Sequence, residues 1–214
     1  MSQPDNRGQI LLENAYALST PEDNREYYAD FAEHYDDTFA QNLGYRLPDL
    51  TAKRFLELRT PNDTPIADIG CGTGLVAQAL QIGVPIDGYD ISAEMLDAAR
   101  RKGHYRDLYE VDLTQDLNPD LPRYGAVLSS GTFTHGHLGP DALMRLLSLG
   151  RPEALFVLSI NTAHYVKLGF ERVLESLLST KQIRDLSTPE IRIYTREDHD
   201  HGEDTAFLCS FRKV

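Results

Sequence analysis

Residues 68 to 74 read Asp-Ile-Gly-Cys-Gly-Thr-Gly, a glycine turn between an apolar run, Pro65 to Ile69, and a helical pattern, Leu75 to Leu80. Gly70, Gly72 and Gly74 let the backbone turn tightly and pass close to a ligand with no Cβ in the way. Strand, glycine turn and helix in that order make a cradle for a nucleotide-like group. The next apolar run, Ile86 to Tyr89, ends at Asp90. A carboxylate there, about 20 residues past the turn, can accept hydrogen bonds from both hydroxyls of an unphosphorylated ribose. Further on, Val111-Asp112-Leu113 offers an aspartate to an adenine amino group and an apolar side chain to the ring.

Two adenosyl ligands satisfy this much. Gly72, Gly74 and Ala77 meet the loose G-x-G-x-x-G/A pattern of dinucleotide sites, so NAD and an oxidoreductase remain the alternative. Asp68 bears on the choice, because a carboxylate just before the turn repels the pyrophosphate of NAD and attracts the ammonium end of S-adenosylmethionine. Charge therefore favours the methyl donor.

Ligands of open parallel sheets lie beyond the carboxyl ends of the strands, which directs a methyl acceptor to the loop Ser129 to Leu138. It holds Ser130, Thr132, Phe133, Thr134, His135 and His137. His135 is the candidate base for an amine or hydroxyl acceptor, although two histidines one residue apart also suit a polar surface loop. Methyl transfer from a sulfonium is an in-line displacement that positioning alone accelerates, so a base is not required. The run Asp198-His199-Asp200-His201 has metal-ligand composition without metal-site spacing and reads as a solvated loop. No metal is expected.

The elements that must position these residues alternate. After the turn and its helix, Ile86 to Tyr89 is a strand and Ser92 with Met95, Leu96, Ala98 and Ala99 a capped helix. Further strands are expected at Leu108 to Val111, Ala126 to Ser129 and Leu155 to Ile160, with helices at Pro140 to Leu149 and about His164 to Thr180. Ile191 to Tyr194 and Ala206 to Phe211 lack a helix between them and should form an antiparallel hairpin. The fold class expected is α/β, a Rossmann-like doubly wound, mostly parallel seven-stranded sheet ending in that hairpin.

Before Pro61 the chain is polar, tyrosine-rich and helix-prone. Ser19, Thr20 and Pro21 followed by Glu22 and Asp23 form a helix-start pattern. Tyr27, Tyr28, Phe31, Tyr35 and Phe39 then recur at spacings of three and four, giving one aromatic face. Residues 1–60 are read as an N-terminal helical cap and 61–214 as the ligand-binding core, together one structural domain. Laid over the open end of the sheet, the cap helix would bring Tyr28 or Tyr35 to the donor.

The 214 residues, 41% of them hydrophobic and 25% charged, suffice for one well-buried core. A formal net charge of −12 disfavours a nucleic-acid partner. Only Cys71 and Cys209 occur, and Cys71 sits in the glycine turn, where a disulfide would obstruct a ligand. A reducing compartment follows, and with no signal pattern and no membrane-length apolar run the expected location is cytoplasmic. With no large added domain to grip a macromolecule, a small-molecule acceptor is favoured. Oligomeric state is not legible.

The ordered set Asp68 to Gly74, Tyr89-Asp90-Ile91-Ser92 with Glu94-Met95-Leu96, Val111-Asp112-Leu113 and Tyr124-Gly125-Ala126-Val127 resembles the signature of class I S-adenosylmethionine-dependent methyltransferases. More narrowly, Tyr28 to Phe39, Gly74-Leu75-Val76-Ala77 and the Gly131 to Gly139 loop are similar to the Williams-Beuren-region methyltransferase-like group. The resemblance implies that Asp68, Gly70, Gly72 and Gly74 border the methionine portion of the donor, Asp90 and Ile91 the ribose, and Asp112 and Leu113 the adenine. Cys71, Met95 and Ser129 complete the implied donor set. One departure is visible: many relatives carry Pro-Gly-Gly before the fifth strand, and this chain has Arg151-Pro152-Glu153-Ala154. A non-catalytic module that binds an adenosyl ligand is compatible with the same residues.

Overall fold

The computed structural model describes residues 43–118 and 120–214, together with Thr20, Glu22, Asp23, Arg25, Tyr27 and Asp36. Tyr28 and Tyr35 lie outside the described residues. At the expected helix start, the Thr20 N–H donates to Asp23 Oδ2 at 3.0 Å and the Asp23 N–H donates to Thr20 Oγ1 at 3.1 Å. That reciprocal pair is a capping box.

The described strands are β1 (Ile66–Ile69), β2 (Ile86–Asp90), β3 (Asp107–Glu110), β4 (Tyr124–Phe133), β5 (Gly150–Asn161), β6 (Ile183–Ser187), β7 (Glu190–Arg192) and β8 (Thr205–Lys213). They form one sheet in the order β3-β2-β1-β4-β5-β8-β6, with β7 also on β8. β1 to β5 pair in parallel, and β8 joins β5 antiparallel. β6 pairs with the end of β8 and β7 with its beginning, so the two are successive lengths of a single lane. The expected sheet and its closing hairpin are therefore present, with a first arm that begins earlier, at Ile183. Pro189, which has no N–H to give, lies where that arm is interrupted, and its carbonyl accepts from the Leu208 N–H at 2.9 Å.

Both faces of the sheet are covered, as alternation along buried strands requires. On one face Ala67, Ile69, Val127, Phe156 and Leu158 meet α4 (Pro140–Leu147) and α6 (Phe170–Ser179). On the other, Ile66, Ile86, Ala126, Leu128 and Val157 meet α1 (Leu47–Leu58) and α2 (Leu75–Leu80). The sequence reading did not single out α1 as an element. Pro48 in its first turn is a start signal, and Leu47, Thr51, Ala52 and Phe55 are buried at helical spacing.

α3 (Ala93–Lys102) follows β2 and is capped by Ser92, whose Oγ accepts from the Met95 N–H at 3.2 Å. The single helix expected from His164 to Thr180 is two, because Gly169 takes φ +71° and ends α5 (Thr162–Leu168) before α6 begins. At the entrance to β5, Glu153 itself adopts φ +70°, and its carbonyl accepts from Arg212 at 2.8 Å. Among the described residues no helix is long and apolar enough to cross a membrane.

Candidate active site

β1 lies between β2 and β4 in the sheet. Connections leaving β1 toward β2 and arriving at β4 run in opposite directions, and a crevice opens at the strand ends there. The glycine turn, the ends of β2, β3 and β4, the loop after β4 and the start of α1 line a cavity at this point.

The glycines of the turn do different jobs. A Cβ on Gly72 would meet nothing within 4 Å, so this residue opens onto the cavity. A Cβ on Gly70 would stand 2.0 Å from Thr132 Oγ1, and one on Gly74 would stand 2.8 Å from the Tyr105 ring. Gly70 thus admits β4 against the turn, and Gly74 admits Tyr105. Gly88, in the middle of β2, makes room for the same ring and for the Cys71 sulfur. All three turn glycines have positive φ.

Asp90 stands at the cavity wall. Its Oδ2 accepts the Gly72 N–H at 2.8 Å and its Oδ1 accepts the Ser92 N–H at 3.0 Å. Burial raises its pKa, against the lowering effect of those backbone donors. Asp68 lies behind the turn, buried, and is not part of the lining. Its Oδ2 accepts from the Tyr105 hydroxyl at 2.7 Å, while Oδ1 has no hydrogen-bond partner among the described residues. Desolvation pushes its carboxyl up to about 7 despite the tyrosine donor, with the Asp90 charge adding to the rise. Burial also pushes the Cys71 thiol well up, so Cys71 lines the cavity as a neutral group.

Ile91, Met95 and Leu113 supply apolar lining, with Asp112 beside them. Asp112 Oδ1 accepts from Thr114 N–H at 2.8 Å and from its hydroxyl at 2.6 Å. Both bonds fall on one oxygen, so Oδ2 is the atom available to a ligand. Ser129 is buried and donates to the Ile69 carbonyl at 2.8 Å, tying β4 to β1 below the cavity.

The structure brings Gly70, Cys71, Gly72, Asp90, Ile91, Met95, Asp112 and Leu113 to the cavity and leaves Asp68, Gly74, Ser129 and His135 out of its lining. His135 turns to His164, ring centroids 5.7 Å apart, while His137 lines the cavity. Tyr45, Pro48, Ser130, Thr132 and Leu138 join it there. Tyr45, Tyr105 and Asp36 were not anticipated. Asp36 accepts from Thr73 Oγ1 at 2.6 Å and pairs with Lys102, which joins the segment before α1 to the turn. The only advance signal for Tyr105 was Gly88, a glycine inside a strand, which marks a close approach.

A family model described as a methyltransferase domain matches residues 66–151, the stretch from β1 into β5 that carries the glycine turn and the three strand-end acids. The chain is 29% identical over 182 residues to methyltransferase-like protein 27 of Homo sapiens, covering 83% of this chain and 72% of that protein. On these matches the chain is an S-adenosylmethionine-dependent methyltransferase. A second relative of this methyltransferase, indolepyruvate C-methyltransferase of Streptomyces griseus, is 34% identical over 136 residues, which is 56% of this chain and 39% of the relative. Among solved structures, magnesium protoporphyrin IX methyltransferase from Synechocystis PCC 6803 with bound SAM shares the fold at a TM-score of 0.66 and 19% identity, covering 92% of this chain and 98% of that one.

Away from the cavity of the methyltransferase, the loop between β7 and β8 pairs internally. Arg196 holds Asp198 at 2.6 Å, and His201 Nδ1 lies 3.0 Å from Asp204 Oδ2. Among the described residues no group of three or more His, Cys, Asp or Glu is arranged to hold a metal ion.

Proposed function

We propose that the cavity holds S-adenosylmethionine and that the enzyme transfers its methyl group to a small-molecule acceptor. The observation that carries the reading is a pair of carboxylates at the glycine turn, one buried and one half-buried. Burial, with the charge of Asp90 in the wall added, raises the cost of ionising Asp68 behind it. A cationic ligand offsets that cost, and a pyrophosphate adds to it. Asp68 Oδ1, buried with no hydrogen-bond partner among the described residues, is a further sign that positive charge belongs nearby.

The remaining residues fit the same ligand. Gly72 allows the methionine portion close to the backbone. Asp90 keeps spare lone pairs on both oxygens for ribose hydroxyls. Ile91, Met95 and Leu113 suit the faces of an adenine ring, and Asp112 Oδ2 its amino group. S-adenosylmethionine, when bound, supplies a methyl carbon on a positively charged sulfur. Tyr45 and Pro48, ahead of and within α1, and Leu138 after β4 exclude water and hold the reactants in line.

A small acceptor is supported by what the similar proteins are named for, indolepyruvate and magnesium protoporphyrin IX. The narrower Williams-Beuren-region grouping draws support from the identity to methyltransferase-like protein 27. Parallel calorimetric titrations with S-adenosylhomocysteine, S-adenosylmethionine and NAD test the donor. Binding of the two adenosyl ligands without NAD is expected, and binding of NAD alone would overturn the reading.

A further inference from the structure

The strand order divides the cavity. Asp90 ends β2 and Asp112 follows β3, both on one side of the glycine turn, and β4 lies on the other. With Asp90 read as the ribose partner and Asp112 as the adenine partner, the β4 side is left for the group carried on the donor sulfur. Ser130, Gly131 and Thr132 of β4 line that side. Tyr45 reaches them from the segment ahead of α1.

Tyr45 closes the cavity there. A Cβ on Gly131 would stand 2.2 Å from the Tyr45 hydroxyl oxygen, so the hydroxyl rests directly on the glycine backbone. Gly131 is at φ +74°, a conformation that glycine adopts without strain, and any other residue there would also evict the phenol.

Both partners of this contact are fixed from distant parts of the chain. The Gly131 N–H donates to Oγ of buried Ser159 in β5 at 2.9 Å. Tyr45 forms an isolated antiparallel bridge with Tyr194, just after β7. Arg46 N–H donates to the Ile193 carbonyl and Thr195 N–H to the Gly44 carbonyl, each at 2.9 Å. The ring of Tyr45 lies 5.9 Å from that of buried Tyr194. Gly44 permits this approach, since a Cβ on it would stand 1.9 Å from Thr195 Oγ1. The closing hairpin thus braces a side chain against the end of β4.

We propose that Tyr45 is a specificity-determining residue, and that its ring and hydroxyl limit the group the donor sulfur can carry in this cavity to about the size of methyl. This rests on the donor reading above. Tyr45 acts here by occupying volume and exchanges no proton. A larger group has to displace a wall held by two backbone hydrogen bonds and a ring contact, and close-packed surroundings do not absorb such a change. A shorter side chain at position 45 leaves space that a larger group fills.

The test is calorimetric titration of full-length protein with S-adenosylmethionine and with its S-benzyl counterpart, which carries benzyl in place of methyl on sulfur. The parent is expected to bind the S-benzyl compound at least about tenfold more weakly than S-adenosylmethionine. Tyr45→Ala should bring the two affinities within about threefold, mainly through tighter binding of the S-benzyl compound. Tyr45→Leu, which keeps an apolar contact for Tyr194, should move the ratio the same way and serves where Tyr45→Ala does not fold. Tyr45→Phe keeps the ring and should retain most of the discrimination. Comparable binding of both compounds by the parent, an unchanged ratio in the shortened variants, or loss of discrimination in Tyr45→Phe would each sink the proposal. A parent that binds neither S-adenosylmethionine nor S-adenosylhomocysteine would instead sink the donor reading.

Discussion

Tyr105 donates its hydroxyl to Asp68 Oδ2 at 2.7 Å from a slot that Gly74 and Gly88 leave open between the turn and β2. A residue from the α3–β3 connection thereby sets the charge state of a carboxylate in β1. The relationship explains two glycines at once, since neither faces the cavity. Burial makes Asp68 a titrating group near neutrality rather than a permanent anion, and the Tyr105 hydrogen bond keeps it from rising further.

Burial raises the Asp68 carboxyl from the ordinary carboxylate range to about 7. The folded chain without ligand then holds this proton more tightly than the unfolded chain. The resulting stability is fully present below about pH 4 and is lost as pH rises through about 7. Denaturant titrations of the ligand-free protein across that window should show the decline, and Asp68→Asn should flatten it. Tyr105→Phe removes a hydrogen bond that lowers the pKa, so the decline should move to higher pH; an unchanged profile would refute control by Tyr105. Because a cationic donor favours ionised Asp68, S-adenosylmethionine affinity should rise over the same interval.

The glycines of the turn should separate folding from binding. Gly72→Ala adds a methyl group to open space and bears only the left-handed backbone cost of about 1–2 kcal/mol. Its main effect should be on ligand affinity, at about tenfold or more. Gly70→Ala adds a collision with Thr132 to the same backbone cost and should lose on the order of 3 kcal/mol. Denaturant midpoints and calorimetry on the two variants check the contrast, and equal stability losses would refute the assignment.

Asp90→Ala should weaken adenosyl-ligand binding by about tenfold or more, through loss of a charge-assisted partner for the ribose hydroxyls. The substitution also frees the Gly72 and Ser92 N–H groups. Asp90→Asn keeps one acceptor oxygen and should fall between the variant and the parent. Unchanged affinity in Asp90→Ala would remove the ribose from this position.

Asp36 tests whether the segment before α1 matters to the cavity. It links Thr73 and Lys102 in a partly exposed pair, which makes a small contribution to stability, under about 1 kcal/mol. Asp36→Ala should leave the denaturant midpoint nearly unchanged and weaken S-adenosylhomocysteine by severalfold, since Thr73 belongs to the glycine turn. Calorimetry on the variant decides, and an unaltered affinity would disconnect the segment from the site.

The frame from β1 through β3 was legible because the glycine turn and the acids at the strand ends obey local rules. What escaped the sequence depends on contacts far along the chain. Tyr105 looks like an isolated aromatic until Gly74 and Gly88 are placed around it. His135 and His137 have equal chemistry and a separation of one residue, so only the loop's path decides which enters the cavity. β6 is short and carries Arg184 and Asp185, with Asp185 at φ +57°, so its alternation is weak and it reads as loop. α1 was hidden by the polar segment before it, although its buried residues keep helical spacing.

The irregular start of β5 gives a last test. The methyltransferases that the sequence resembles carry Pro-Gly-Gly in this region, and here Glu153 adopts the left-handed conformation itself, at φ +70°. That conformation costs a side-chain-bearing residue about 1–2 kcal/mol. The Glu153 side chain pairs with Arg184 at the surface, where an ion pair returns less than about 1 kcal/mol. The Arg212 bond to the residue 153 carbonyl belongs to the backbone and survives substitution. Glu153→Gly should therefore raise stability by up to about 1 kcal/mol, and Glu153→Gln, which removes the charge and keeps the strain, should lower it slightly. Glu153→Gly less stable than the parent would mean that the ion pair outweighs the strained backbone.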